Sequence, residues 1–429
     1  MDNPQEKVGH FRWRILALLF MASTINYIDR SILGVLGPTL RDKVFDWSVQ
    51  DYANITISFQ IAYAIGLLTM GGIIDKLGTK KGYTLSIAIW SIFGMLHAAV
   101  TKGMGWIGFA LARFGLGYGE SGNFPSAIKT VTEWFPKKER AFANGLFNAG
   151  TNVGAIIAPM FIPLIVTNEG KNWQFAFLVT GGLSLLWIIL WNRTYQKPEV
   201  HPKVKKTELD HILSDPAETE IEKIPWRKLF PVKETWAFAT AKVCDAVWWF
   251  YLFWGGFFLN AQFGLELKGL ALPLIMIFLL ADVGSIAGGY LSGFFINRGW
   301  SLNRARKVTM LICAILVLPV TLAPLVHNQW AAVLLIALAA GAHQAWSATV
   351  FALPGDVFPK KAIASVVGIG GMVGAVSGIV ANLALGKVLT NAGREGYVYA
   401  FLVAGCVYLV ALGVVHLIMP KMTPAKIKE

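Results

Sequence analysis

The chain has 429 residues, of which 55% are hydrophobic and 15% are charged, and it contains 16 Trp and 27 Phe. A soluble domain of this length would show amphipathic periodicity, whereas this sequence repeats long apolar runs with few charges. The formal net charge of +13 lies mostly outside those runs. This placement argues against a protein that binds nucleic acid and for one that resides in a lipid bilayer.

The apolar runs are each long enough to cross about 30 Å of hydrocarbon as a helix. The first run follows a short basic segment and is too long for a signal peptide, so we expect it to be retained as a membrane helix. The sequence predicts twelve spans, at 12–37, 53–74, 82–101, 104–131, 141–165, 173–194, 234–262, 270–296, 304–326, 329–353, 363–391 and 397–419.

The basic residues predict the orientation of these spans. Of the 38 Lys and Arg residues, six lie in loops on one side of the membrane, and most of the others lie on the side that holds both termini. Basic residues concentrate in cytoplasmic loops, so we expect both termini in the cytoplasm and the chain in the cell inner membrane. The three cysteines lie within spans, and no CxxC or HExxH motif occurs. We therefore expect no disulfide framework, no metal and no cofactor.

Polar and charged side chains interrupt the first two spans. Asn26 and Arg30 are four residues apart and share a helix face, while Asp29 points about 100° away. Charged residues within a span normally face a cavity and mark an ion or substrate path. Tyr63 on the second span suits a surface that faces a sugar, or alternatively forms a hydrogen bond between helices.

The turn after the second span reads GGIIDKLGTKK over residues 71–81. Small residues allow helices to approach closely, Asp75 can cap a neighbouring helix N-terminus, and the lysines suit an anionic lipid surface. The alternative is an ordinary charged turn. The lysines of this turn are Lys76, Lys80 and Lys81.

The fourth and fifth spans carry further polar candidates. Arg113 and Glu120 are seven residues apart, or about two helical turns, and share a face. They mark either an ion path or a structural ion pair. On the fifth span, Asn148, Thr151 and Asn152 suit a sugar-facing surface, with hydrogen bonds between helices as the alternative.

A polar stretch at 195–233 divides the chain, and an internal repeat surrounds it. With a shift of 223 residues, positions 132–159 align without a gap with positions 355–382, and Phe-Pro-Lys-Lys recurs at corresponding positions. Halves with an even number of spans are parallel and rock about a central site. We predict an all-α membrane protein of twelve transmembrane helices in two pseudo-symmetric six-helix bundles. The predicted divisions are an N-terminal bundle at 1–194, a cytoplasmic linker at 195–233 and a C-terminal bundle at 234–429.

The second half supplies donors, acceptors and aromatic faces that suit a polyhydroxylated ring. Packing is the alternative for the histidine and the tryptophan of this group. In the seventh span, Lys242 and Asp245 are predicted to neutralise each other. Asp282, in the eighth span, has no evident partner. The candidate binding residues are His343, Gln344, Trp346, Ser347 and Asn382.

The turn at 71–81 resembles the signature of the major facilitator superfamily, with a weaker echo at Gly293, Asn297, Arg298 and Arg304. In that family the element latches one conformation, which implies a gating role for Asp75 and the lysines of the turn. The Asp-Arg pair of the first span and the Arg-x6-Glu pair of the fourth resemble the anion:cation symporter branch, whose members move organic acids, commonly with protons.

This resemblance implies individual roles for four charged residues. Arg30 would bind the substrate carboxylate, Asp29 and Glu120 would hold protons, and Arg113 would tune them. A guanidinium offers planar, bidentate donors that match a carboxylate. When the substrate neutralises the arginine, a nearby carboxyl holds a proton more readily, which favours symport.

The segments GTKKGY, GESGNFPSAIK and EWFPKKERAFANGLFNAGTNVGA are similar to those of bacterial hexuronate transporters. The expected function is therefore proton-coupled import of glucuronate and galacturonate by alternating access. The expected partners are a small anionic sugar acid, protons and the lipid bilayer, with no nucleic acid, and we expect a monomer.

Other functions stay open as alternatives. The chain could be a symporter or exchanger for another organic anion, such as galactonate or glucarate. A membrane sensor that does not transport is a further alternative, although the short linker and tails leave little room for a signalling domain. An enzyme is not expected, because no nucleophile-base pair or metal cluster is evident.

Overall fold

The computed structural model of the protein describes residues 9–214 and 226–427. Within these ranges the regular structure is helical and contains no β-strand, which confirms the predicted all-α class. The helices of the first half are α1 (Phe11–Thr39), α2 (Val49–Leu77), α3 (Thr79–Leu96), α4 (Gly105–Glu120), α5 (Asn123–Trp134), α6 (Lys137–Ile165) and α7 (Trp173–Thr194). They are followed by α8 (Lys206–Ile212), α9 (Trp226–Leu229), α10 (Lys233–Lys242), α11 (Asp245–Phe263), α12 (Leu267–Asn297), α13 (Leu302–Val317), α14 (Gln329–Val357), α15 (Lys360–Ala392) and α16 (Gly396–Ile418).

Nine helical stretches of the described chain are long and apolar enough to cross a membrane. The last stretch, Ser365–Ile418, contains two predicted spans, α15 and α16. The fourth span is divided into α4 and α5, and the seventh is divided into α10 and α11. The helices therefore account for all twelve predicted spans.

A specific feature accompanies each of the two breaks. A proline follows the first, and a side-chain hydrogen bond stabilises the second. Between α4 and α5, Pro125 has no N–H to donate to the carbonyl of Ser121, so the helix cannot continue regularly. Between α10 and α11, the hydroxyl of Ser377 donates to the carbonyl oxygen of Val243 over 3.1 Å. This bond provides a partner for a carbonyl at the break, where regular helical bonding ends.

The two halves cross closely at α1 and α11. A Cβ atom on Gly34 would collide with the carbonyl oxygen of Leu252, and one on Gly256 would collide with the carbonyl oxygen of Gly34. Small residues permit this approach of two backbones. We call the membrane face at which α1 begins and α16 ends the terminal face, and the other the opposite face. The crossing lies toward the opposite face.

Hydrogen bonds connect the halves from the middle of the membrane to the opposite face. The hydroxyl of Tyr52 donates to the carbonyl oxygen of Phe253 over 2.7 Å, and the amide of Asn168 donates to Glu266 over 2.7 Å. Toward the terminal face, an added Cβ on Gly71 would meet no atom within 4 Å. The same holds for Gly145, Gly293 and Gly371.

The short helix α8 packs on the terminal face of the first half. The backbone N–H of Arg12 donates to Oε1 of Glu208 over 3.0 Å, and the Arg12 guanidinium bonds to Glu139 over 3.0 Å. Nε2 of His211 lies 2.8 Å from the other oxygen of Glu139. Burial alone would raise the pKa of Glu139, but the hydrogen bonds from His211 and Arg12 and the Arg12 charge hold that pKa below its usual value.

Candidate functional site

Arg30 and Glu120 form a buried ion pair in the middle of the first half. Nη2 of Arg30 lies 2.8 Å from Oε2 of Glu120, and its Nε donates to the same oxygen over 2.9 Å. The side chains are 3% and 0% exposed, respectively. A charge this deep inside a protein is stable only when it is paired or neutralised.

Aromatic rings surround the guanidinium of Arg30 on several sides. Its central carbon lies 4.6 Å from the ring centre of Tyr27, 4.8 Å from Tyr63 and 5.6 Å from Trp249. The ring centre of Phe59 is 5.4 Å away. Each ring face attracts a cation, so these contacts stabilise the charge. Because Trp249 belongs to α11, both halves contribute to the surroundings of this arginine.

Arg113 supports the backbone of α1 beside this pair. Its guanidinium donates to the carbonyl oxygen of Arg30 over 3.2 Å and to that of Asp29 over 3.5 Å. Among the described residues, the ion-pair partner of Glu120 is Arg30 rather than Arg113. Two helical turns, roughly 10 Å, separate Arg113 from Glu120 along α4, and the guanidinium of Arg113 bonds to the backbone of α1 instead.

Asp29 faces a different neighbour from Arg30, as the helical spacing predicted. The hydroxyl of Ser184 on α7 donates to its Oδ2 over 3.3 Å, and Thr180 also bonds to the carboxylate. Its other oxygen has no hydrogen-bond partner among the described residues, and neither does Oε1 of Glu120. Buried polar atoms without partners are uncommon, so these two carboxylates have unused bonding capacity.

Asn26 and Tyr63 share the surroundings of Arg30. Asn26 is fully buried, and both polar atoms of its amide lack a partner among the described residues. It lies one turn before Arg30 on the same face of α1. Tyr63 is half-buried and stacks on Phe59 with ring centres 5.9 Å apart. These predicted residues thus lie at or beside the charged pair.

The three candidates on α6 differ in their surroundings. Asn148 is exposed, whereas Thr151 is buried and donates to the carbonyl oxygen of Asn148 over 2.7 Å within its own helix. Asn152 forms a side-chain hydrogen bond with Asp282 of α12. Asp282, which had no evident partner in the sequence, therefore binds across the two halves.

Two candidates on α14 have their observed partners in the second half. Nδ1 of His343 lies 2.7 Å from the hydroxyl of Tyr408, and its ring stacks on Trp248. The indole N–H of Trp346 donates to the carbonyl oxygen of Ala241 over 3.1 Å. Both candidates are buried, and these contacts favour the packing interpretation. Gln344 and Ser347 on the same helix are half-buried.

The side chain of Asn382 forms hydrogen bonds with residues of both halves. Its amide nitrogen donates to Oε1 of Gln60 over 3.1 Å, and its oxygen accepts from the indole N–H of Trp254 over 2.6 Å. The hydroxyl of Thr56 lies 3.5 Å from the same oxygen. The Asn382 side chain is therefore already occupied by contacts between α2, α11 and α15.

The predicted pairing of Lys242 with Asp245 is confirmed. Nζ of Lys242 lies 2.6 Å from Oδ2 of Asp245, across the break between α10 and α11. The nitrogen also lies 4.2 Å from the ring centre of Phe351. The carboxylate of Asp245 thus neutralises the charge of Lys242, whose side chain is buried.

The predicted gating turn joins α2 to α3. Gly78 separates the helices with φ of +79°, a conformation that favours glycine. Asp75 and Lys76 end α2, and the side chain of Asp75 lies outside the described part of the structure. Lys80 and Lys81 begin α3, where the carbonyl oxygen of Lys80 accepts from the indole of Trp191 over 3.2 Å.

Sequence reasoning missed the pairing of Glu120 with Arg30 and the role of Trp249 as a wall of the site. Helical periodicity identifies residues on one face of a helix, but it does not identify which neighbouring helix that face meets. Trp249 lies in an aromatic run at 248–251 in which each ring is an equal candidate for packing. No spacing rule separates it from Trp248, which stacks on His343 instead.

Comparisons with known proteins cover most of the chain. A family model described as the Major Facilitator Superfamily matches residues 19–382. The chain is 30% identical over 373 residues to the hexuronate transporter of Escherichia coli (strain K12), covering 85% of each chain. It is also 30% identical over 320 residues to the galacturonate transporter of Dickeya chrysanthemi, covering 73% of this chain and 90% of that protein.

A solved structure supports the same fold. The chain matches the crystal structure of a bacterial homolog of the human lysosomal transporter Spinster, in an inward-facing and unoccupied conformation, with a TM-score of 0.78. The match covers 97% of this chain and 98% of that one at 18% identity. At this identity the likeness concerns the fold alone, and it extends across both halves.

Proposed function

Because the chain belongs to the Major Facilitator Superfamily, we propose that it imports hexuronates such as glucuronate and galacturonate, together with protons, across the inner membrane. It is a multi-pass membrane transporter of organic acids and not an enzyme. Its twelve transmembrane helices form two pseudo-symmetric six-helix bundles. The finer proposal depends on the buried pair of Arg30 and Glu120.

The carboxylate of the substrate competes with Glu120 for Arg30. The guanidinium presents several N–H donors, of which Nε donates to Oε2 of Glu120, while Nη2 lies 2.8 Å from the same oxygen. A hexuronate carboxylate that takes these donors would leave Glu120 buried without its partner. An unpaired buried carboxylate costs several kcal/mol, so Glu120 would then bind a proton. Substrate and proton would thus favour each other's binding, as symport requires.

Asp29 is proposed as a second proton-holding group. Its carboxylate accepts from Ser184, and its remaining oxygen is unpartnered within the described chain. Arg113 holds the carbonyl oxygens of Asp29 and Arg30 and would keep both side chains in position. In this proposal Arg113 tunes the site through the backbone of α1, without binding substrate itself.

The sugar ring is proposed to bind among the aromatic and amide groups around Arg30. Tyr63 and Trp249 offer ring faces, and the unpartnered amide of Asn26 offers both a donor and an acceptor. Asn148, Gln344 and Ser347 are partly or fully exposed and would contact hydroxyl groups from further away. The remaining candidates act in this proposal by positioning helices, and they are Thr151, Asn152, His343, Trp346 and Asn382.

We place the terminal face in the cytoplasm and divide the chain into bundles at 1–194 and 234–429, joined by a linker at 195–233. With this orientation, the bonds of Tyr52 and Asn168 to the second half close the external side. Rocking of the bundles would break them, and Asp75 with Lys76, Lys80 and Lys81 would latch the alternate state. The structure would then correspond to an inward-facing stage of alternating access.

Uptake into proteoliposomes tests the proposal. Purified protein would be supplied with labelled glucuronate, galacturonate or galactonate under an imposed pH gradient. We expect accumulation of the two hexuronates, accompanied by a rise of the external pH. Uptake without any change of external pH would contradict proton coupling and support exchange. Preference for galactonate would reassign the substrate, and binding without uptake would support a sensor.

A further inference from the structure

A basic cleft lies at the terminal face between the beginning of α1 and the end of α7. Its volume is about 310 Å³, and the residues that follow α7 form its third wall. Arg14, Arg193 and Lys203 line it, one from each wall. Among the described residues that line it, none is Asp or Glu. The cleft is separate from the buried pair in the middle of the membrane.

The three cations of the cleft carry uncompensated charge. Within the part of the chain that the structure describes, none of them forms an ion pair, and all three side chains are exposed. The neighbouring Arg12 differs, because Glu139 and Glu208 neutralise it. Three cations that line one cleft without ion-pair partners attract an anion, and arginine matches the geometry of a phosphate group.

Two leucines form the part of the cleft that lies deeper than its cations. Leu18 lies one helical turn deeper than Arg14, and Leu190 lies one turn deeper than Thr194. Leu190 is 40% exposed and belongs to a helix whose outer surface is apolar. The cleft thus presents cations at the edge of the bilayer and hydrocarbon below them. A soluble anion would use only the rim, whereas a phospholipid would use both parts.

The wall that carries Lys203 is fixed in place. His201 is buried, its ring centre lies 4.3 Å from that of Phe11, and its Nε2 lies 3.0 Å from the carbonyl oxygen of Thr194. Its Nδ1 accepts from the backbone N–H of Lys203 over 3.1 Å. The histidine therefore attaches the segment after α7 to both α1 and α7. These contacts give the third wall of the cleft a defined position.

We infer that this cleft binds the phosphate headgroup of an anionic glycerophospholipid. The phosphate lies among Arg14, Arg193 and Lys203, and one acyl chain runs along Leu18 and Leu190. Basic pockets at this depth recognise anionic headgroups, and each Lys or Arg near the surface strengthens binding roughly fivefold. This inference does not depend on the substrate of the transporter.

Native mass spectrometry of the full chain with phosphatidylglycerol or phosphatidylcholine tests the inference. The cleft variant is Arg14→Gln/Arg193→Gln/Lys203→Gln. The matched control, Lys197→Gln/Lys205→Gln/Lys206→Gln, removes the same charge from exposed positions nearby. We expect wild type and control to retain one phosphatidylglycerol, and the cleft variant to bind it roughly a hundredfold more weakly. Phosphatidylcholine should bind weakly to all three.

Three outcomes would overturn the inference. They are equal retention by wild type and cleft variant, equal loss in the control, and displacement of the lipid by glycerol phosphate at matching concentration. The last would identify a site for soluble anions. The single variant Lys203→Gln, exposed and outside the helices, provides a milder test if the triple variant is not monodisperse. It should weaken binding about fivefold, and no change would also contradict the inference.

Discussion

Nη2 of Arg30 lies 2.8 Å from Oε2 of Glu120, although the two residues are 90 positions apart and belong to different helices. In the proposed mechanism, this contact makes Glu120 the group that the substrate displaces in order to reach the guanidinium. The displaced carboxylate would then favour its protonated form, because among the described residues Arg30 is the partner with which it forms an ion pair. The proposal therefore explains coupled movement of substrate and proton by competition of two carboxylates for Arg30.

Glu120→Gln separates proton coupling from substrate binding. The amide keeps the shape of the side chain and can still accept a bond from Arg30, but it carries neither charge nor a transferable proton. We expect loss of accumulation driven by a pH gradient, while counterflow and binding persist with equal or tighter affinity. Tracer uptake and counterflow in proteoliposomes measure the two effects. Glu395→Gln, at an exposed position on the opposite face, is the control, and equal loss of both activities would indicate a structural role.

Arg30→Lys tests direct recognition of the carboxylate. Lysine retains the positive charge but loses the planar set of donors, so one or more charge-assisted hydrogen bonds disappear. Such bonds contribute about 1.5–3 kcal/mol, which predicts substrate affinity lower by at least roughly tenfold. Calorimetric titration with glucuronate measures the change. Arg41→Lys, on the short segment that follows α1, should bind normally. Unchanged affinity in Arg30→Lys would remove this residue from the binding site.

Trp249→Leu tests whether the second half contributes to the sugar site. The ring of Trp249 faces Arg30, whereas that of its neighbour Trp248 stacks on His343. We expect Trp249→Leu to raise KM severalfold, with Trp249→Phe nearer to wild type, because any aromatic face can stack on a sugar. Trp248→Leu should instead lower the thermal stability and leave KM almost unchanged. Equal KM values in both leucine variants would contradict the assignment.

The spans were predictable because membrane helices must satisfy their backbone bonds internally and cover a fixed thickness. The pairing of Lys242 with Asp245 was also predictable, since it is local to three residues. Contacts between helices were not, because Asn152 and Asp282 give no sign in the sequence that they meet. The contact of His343 could not be predicted from the sequence either. Its Nδ1 bonds to the hydroxyl of Tyr408, on another helix of the same bundle.

Asn382→Ala should weaken the connection between the two halves, which we propose closes the external side. Asn382 binds Gln60 and Trp254, and its removal leaves their buried polar groups unpaired at about 1–3 kcal/mol each. We expect a broader and longer distance distribution between spin labels at Asp46 and Lys268, two exposed residues on the opposite face of the two halves. Pulsed electron resonance measures it in a variant without the native cysteines.

Asn328→Ala is the control for this experiment. Asn328 caps α14 on the same face by accepting from the backbone N–H of Trp330, and its observed contacts stay within the second half. Its removal should leave the label distances unchanged. Broadening of similar size in both variants would indicate general destabilisation instead of a specific connection between the halves.

Glu139→Gln tests the attachment of α8 to the first half. Burial would raise the pKa of Glu139, but its bonds to His211 and Arg12 lower that pKa overall, so the folded protein binds fewer protons than the unfolded chain in acid. The resulting stability is present above the unfolded-state pKa of about 4.3 and disappears as the pH falls through the lower folded-state pKa. We expect Glu139→Gln to melt below wild type near neutral pH. The difference should shrink in acid, where wild type also loses the charge.

Thermal unfolding in detergent between about pH 3.5 and pH 7.5 measures this dependence. Glu199→Gln is the matched control, since Glu199 is exposed in the segment that follows α7, and its melting curve should follow wild type throughout. A deficit in Glu139→Gln that stays constant with pH would mean that Glu139 acts through packing, because an effect of charge must vanish with the charge. No deficit at any pH would mean that the contacts of Arg12 with Glu208 hold α8 without it.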